Sequence, residues 1–151
     1  MRGEDWAQRL DAFIEKASRT DFSWARFNCC LLPAGAVLAM TGIDPAQPFR
    51  NASWKTRRGA FAGLRRFLGP AAKGLDMDAM VEAVASKLCA ESGFAEIEPL
   101  YAQRGDVCLM AVPVGGSRIE AALGVCLGSR VAVPGNEGGL VELPITAVRR
   151  A

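Results

Sequence analysis

From Cys29 to Met40 the chain carries no charged side chain, and the run is broken at Thr41-Gly42. It falls short of the roughly 18 to 20 apolar residues that a membrane-spanning helix needs. It therefore predicts a helix that is apolar nearly all round and needs cover on every side. Asn28 is a cap-type residue directly ahead of the run. Pro33 cannot donate to the carbonyl of Cys29, which delays the regular helix until after Leu31 or Leu32. Gly42 supplies the stop. A chain of 151 residues has room for one core around such a helix, so a single domain over residues 1–151 is expected. Ala36, Val37 and Met40 are expected inside it, under the segments Val107 to Met110 and Leu123 to Leu127.

The flanking segments divide into helices first and strands second. Trp6, Leu10, Phe13, Ile14 and Ala17 recur at helical spacing from a start near Gly3-Glu4-Asp5. Ser18 to Phe27 reads as a loop. Asp44-Pro45 with Pro48 makes a turn-rich connection. Thr56 is a cap for a third helix through Leu68, ended by Gly69-Pro70, with Phe61, Leu64 and Leu68 on one face. Asp76 or Asp78 opens a fourth, which carries Met77, Met80, Val81, Val84 and Leu88 inward and is closed by Gly93. Beyond Gly93 the period shortens: Ala95 to Leu100 reads as extended, and Gly105-Asp106 turns into Val107 to Val112. Gly115-Gly116-Ser117 reads as a hairpin tip before Ile119 to Leu127, with Val131 to Val133 and Leu140 to Leu143 completing an antiparallel meander. Segregation of this kind predicts an α+β domain.

The chain contains no histidine. Cys-His and Ser-His catalysis and histidine-based zinc sites are thereby excluded. A net charge of +2 does not demand a nucleic-acid or membrane partner. The five cysteines, Cys29, Cys30, Cys89, Cys108 and Cys126, form no C-x-x-C pair, so neither a metal nor another cofactor is expected. Cys89, Cys108 and Cys126 read as small buried hydrophobes. Residues Met1 to Trp6 include acidic side chains and no apolar h-region, so no secretory signal is expected and folding is expected in a cytoplasm.

Phe22-Ser23-Trp24-Ala25-Arg26-Phe27-Asn28-Cys29-Cys30 places a cysteine at the head of a buried helix, where the macrodipole and free N–H groups favour a thiolate. With Arg104-Gly105-Asp106-Val107 and Ala122-Leu123-Gly124-Val125-Cys126-Leu127-Gly128, this stretch resembles the NlpC-type papain-like cysteine peptidases. The likeness is greatest to a histidine-lacking branch of small proteins of phage and prophage tail modules. The three segments answer, in order, to the family's F-x-W-G-x-x-D-C motif, its G-D-hydrophobic strand start and its H-V-G-I-x-x-G strand. The resemblance puts Cys29 at the nucleophile position, Ala122 at the histidine position and the third polar position near Ala132 or Val133. Asn28 stands where the family usually has aspartate, and Ala25 where it often has glycine.

What the resemblance implies is a degenerate papain-like fold with a vestigial Cys29 and no confident catalytic residue. The chain is then a structural or assembly component of a tail tip, in the host cytoplasm during assembly and afterwards in the virion tail. Its expected partners are other tail-tip or baseplate hub proteins, with no nucleic acid and no membrane insertion. Burial is expected to raise the Cys29 pKa. The interaction surface is expected on the basic third helix and the loop before it, through Trp54, Arg57, Arg58, Arg65 and Arg66, with Lys55 beside them. Two alternatives stand beside this reading. One is a hydrolase of cell-wall peptides acting through Cys29 with a non-histidine base drawn from Tyr101, Asp106 or Glu120. The other is an adaptor that binds acidic partners through the Arg57 to Arg66 helix.

Overall fold

A computed structural model of the protein describes residues 2–50, 52, 54–113, 117 and 119–151. Among these, four α-helices precede one antiparallel sheet: α1 (Trp6–Ala17), α2 (Leu31–Thr41), α3 (Arg57–Leu68) and α4 (Met77–Glu91), then β1 (Val107–Pro113), β2 (Ile119–Cys126), β3 (Arg130–Pro134), β4 (Leu140–Pro144) and β5 (Val148–Arg150). The strand order is β4-β3-β2-β1-β5. The α+β class and the four-strand meander follow the periodicity. Among the described residues no helix is long and apolar enough to cross a membrane.

Two elements differ from expectation. The segment 95–100 forms no strand: Ile97 donates its N–H to the Ala151 carbonyl at 2.9 Å, and Pro99–Tyr101 closes into a 3-10 turn. Proline, with its fixed φ and no donor, favours that turn over a ladder. The added strand β5 pairs with β1 across a register shift at Leu109/Met110. Of the expected hairpin tip, Gly115 and Gly116 lie outside the described residues.

The strands bury alternate residues on two faces. Leu109, Ala121 and Leu123 join Leu31, Ala34, Leu64 and Val84 beneath the helices, and Val125 meets Leu10, Leu32, Ala36 and Met40. Cys108, Met110, Cys126, Val131 and Val133 fill a separate cluster, covered by Leu143, Ile145 and Val148. Within this frame α2 buries Leu31, Leu32, Pro33, Ala34, Ala36, Val37 and Met40 and lies chiefly over β2, with β1 reaching the shared core through Leu109. Its cover is incomplete, since Leu38 remains 39% exposed. Apolar composition on every side overstated how much of the helix the sheet and α1 reach. Gly42 ends it at φ 77°, the left-handed region that glycine enters without strain, and its N–H returns to the Leu38 carbonyl.

Capping sets the other helices. Thr56 Oγ1 accepts the Gly59 N–H at 3.1 Å, and Asp76 accepts that of Ala79 at 2.8 Å. Asp78, the alternative cap, instead reaches across to the sheet and accepts the Ala121 N–H at 3.0 Å, tying α4 to β2.

Candidate functional site

The loop before α2 is built to hold two thiols at its mouth. Phe22 and Trp24 pack edge to face at 4.9 Å, and Ser23 bridges to Phe27. Asn28 is buried and spends its whole amide on the loop: Nδ2 donates to the Trp24 carbonyl at 2.8 Å, while Oδ1 accepts the N–H groups of Cys30 and Leu31 at 2.9 and 3.0 Å. Regular helix begins at Leu31, with Pro33 in the first turn where its missing donor costs nothing.

Cys29 and Cys30 are half-buried there. The Cys30 thiol donates a hydrogen bond to Cys29, which lowers the Cys29 pKa from its ordinary value. Burial and the nearby Glu120 carboxylate oppose that change, and a backbone hydrogen bond from Leu123 on β2 assists it. The same contact, with burial, pushes Cys30 well up. The expectation that burial would raise Cys29 is therefore corrected in sign, because the donors outweigh desolvation. Of the two thiols, Cys29 is the one that gives up its proton more readily.

The other positions fall as follows. Ala122 pairs with Met110 and immediately precedes Leu123, so it stands one residue from the backbone that meets Cys29, but it offers only a methyl group. Ala132 pairs with Val125, and Val133 is buried among Cys108 and Met110. Of the three candidate bases, Tyr101 is 71% exposed on the 3-10 turn. Asp106 is paired with Arg2 and accepts the Gln103 N–H. Glu120 alone of them acts on Cys29, and it is bound at 2.7 Å to Arg57.

The basic helix divides into a buried part and an open one. Trp54 is only 8% exposed; it packs on Phe49 at 5.3 Å and lies so close to Gly63 that a Cβ there would stand 2.5 Å from its indole nitrogen. Its expected place on an interaction surface is corrected: the ring is needed to cover α3, and glycine at 63 permits it. Arg57 crosses Phe61 at 5.7 Å on its way to Glu120. Arg58, Arg65 and Arg66 are exposed and form no ion pair among the described residues. A shallow groove with Phe61, Ala62 and Met77 runs between Arg57, Arg58 and Arg65.

Sequence reasoning missed Cys30 as the partner of Cys29, although adjacency was the available signal, and it missed Asp78 as a sheet anchor. Cys108 and Cys126 are buried as expected, whereas Cys89 is only half-buried. Among the described residues no three His, Cys, Asp or Glu side chains are grouped to hold a metal ion. No curated protein and no solved structure matches the chain. A family model does match, over residues 1–151, and the chain belongs to that family, described as a domain of unknown function (DUF6950).

Proposed function

We propose that this protein is a catalytically degenerate papain-like domain of the NlpC type, acting as a structural or assembly component of a phage or prophage-like tail tip. The observation that carries the reading is the meeting of Cys29, at the head of α2, with Leu123 on β2, directly beside Ala122. A cysteine at a helix mouth against that strand is the layout the resemblance implies, and alanine stands where the imidazole would be. Without an imidazole, the usual group that protonates a leaving amine is missing. Function then rests on surface. Arg58, Arg65 and Arg66 are the exposed part of it, and partners of complementary charge among tail-tip or baseplate hub proteins suit them.

The test is Arg58→Glu with Arg65→Glu, followed by incorporation into particles at low and high salt, with circular dichroism to check the fold. Folded variant protein is expected to assemble more slowly, and added salt to slow the wild type similarly. Assembly at the wild-type rate at low salt sinks the assignment of this surface.

A second reading, a hydrolase of cell-wall peptides, is favoured by one observation: Cys29 is the lowered thiol of its pair. Its measurement is release of cell-wall peptides by the wild type and by Cys29→Ser, and only activity lost in the variant supports it.

A further inference from the structure

We propose that the cleft between the C-terminal halves of α2 and α4 is a binding site for a neutral, apolar small molecule. It opens toward the opposite end of α2 from Cys29, shares Leu123 with the thiol site, and does not rest on the reading above. Its volume is about 570 Å³, within the range of small-molecule sites. Val37 and Met40 form one wall, Leu109 and Leu123 the floor, and Phe94 the far side.

The space exists because of side-chain size on α4. Met80, Val81 and Val84 are buried in the core, while the small side chains of Ala85, Ser86 and Cys89 line the cleft. The far wall is held in place: Phe94 donates to the Cys89 carbonyl at 2.9 Å, and Ile97 to that of Ala151 at 2.9 Å. Walls drawn from two helices, the sheet and this tethered loop suit a compact molecule better than an added strand or helix.

The charges along the cleft choose a neutral ligand. Arg2 and Asp106 compensate each other, and the second Asp106 oxygen accepts the Gln103 N–H at 2.7 Å. Glu82 and Glu96 on the rim also have partners within the protein. A charged ligand would lose its water against mostly apolar walls, with Arg2 already committed to Asp106, a cost that a neutral apolar ligand avoids.

The probe is N-phenyl-1-naphthylamine, a neutral dye, titrated into the full chain. Saturable one-to-one binding is expected. Bound dye should slow N-ethylmaleimide modification of Cys89 at least about tenfold while leaving Cys29 unchanged, which locates it. Ala85→Phe and, at the rim, Ser86→Phe should each weaken dye binding about tenfold; two variants guard against one failing to fold. No saturable binding, binding that leaves Cys89 unprotected, or undiminished binding in a folded variant overturns the site.

Discussion

Two pairs of neighbouring thiols sit in this molecule, and Cys29 of one and Cys108 of the other shift in opposite directions. Cys29 and Cys30 lie at the mouth of α2, where hydrogen bonds from Cys30 and the Leu123 backbone lower the Cys29 pKa despite burial. Cys108 and Cys126 lie in the cluster on the far face of the sheet, and there burial, reinforced by charge on Cys126 and Asp106, raises Cys108 to about 12. Both sites are desolvated, so burial alone does not decide the outcome. The difference is the direction of the hydrogen bonds: Cys29 accepts from Cys30 and the Leu123 backbone, whereas Cys108 donates to Cys126.

The largest expected effect is on thiol reactivity. At pH 8 iodoacetamide should modify Cys29 roughly a thousandfold faster than Cys108, since a pKa raised by about three units reduces the thiolate by that factor. Peptide-level mass spectrometry reads the ratio, and a value under about ten breaks the comparison.

Stability should respond to pH with opposite signs at Cys29 and Cys108. Cys108, whose folded pKa is raised, contributes stability that is whole below its unfolded value of 9.0 and is lost as pH rises toward about 12. The decline is about 1.4 kcal/mol per pH unit. Cys29, whose folded pKa is lowered, contributes stability present above the unfolded value and lost as pH falls through the folded one. Urea unfolding from pH 8 to 11 should show the decline in the wild type and a smaller one in Cys108→Val. An equal decline in both assigns the alkaline loss to other groups.

Asn28→Ala should cost about 1 to 2 kcal/mol, as loss of a buried cap does, and should slow Cys29 labelling because the loop that aims the thiols is released. A variant that unfolds at the wild-type denaturant midpoint would show that Asn28 does not hold this mouth. The smallest effect is expected from Cys30→Ala, which removes the leading cause of the lowered pKa and should slow Cys29 labelling near neutral pH. Cys30→Ser keeps an O–H donor and should slow it less. Equal rates in all three proteins would leave Leu123 as the source of the effect.

Much of this architecture was legible before folding is considered. Thr56, Asp76 and Gly42 do what their types and places predict, because a cap acts on residues three or four positions away. The core of α3 and α4 followed helical spacing, with Leu64, Leu68, Met80, Val81 and Val84 buried. Legibility fell where a residue's fate depends on a distant segment. Trp54 reads as an anchor until Gly63 admits its ring, and Asp78 as a cap until Ala121 arrives beneath it.

The site divides along the same line. The amino-acid sequence alone determined that no imidazole chemistry operates, that two thiols stand together before a helix, and that four arginines lie along α3. Only the tertiary structure decided that Leu123, far along the chain, donates to Cys29, that Arg57 is bound to Glu120 and withdrawn from the open face, and that Cys108 is held protonated. Local pattern fixes turns, caps and faces, since those interactions span a few residues. A pKa or a free guanidinium depends on which donors and charges the packed chain brings within a few ångströms.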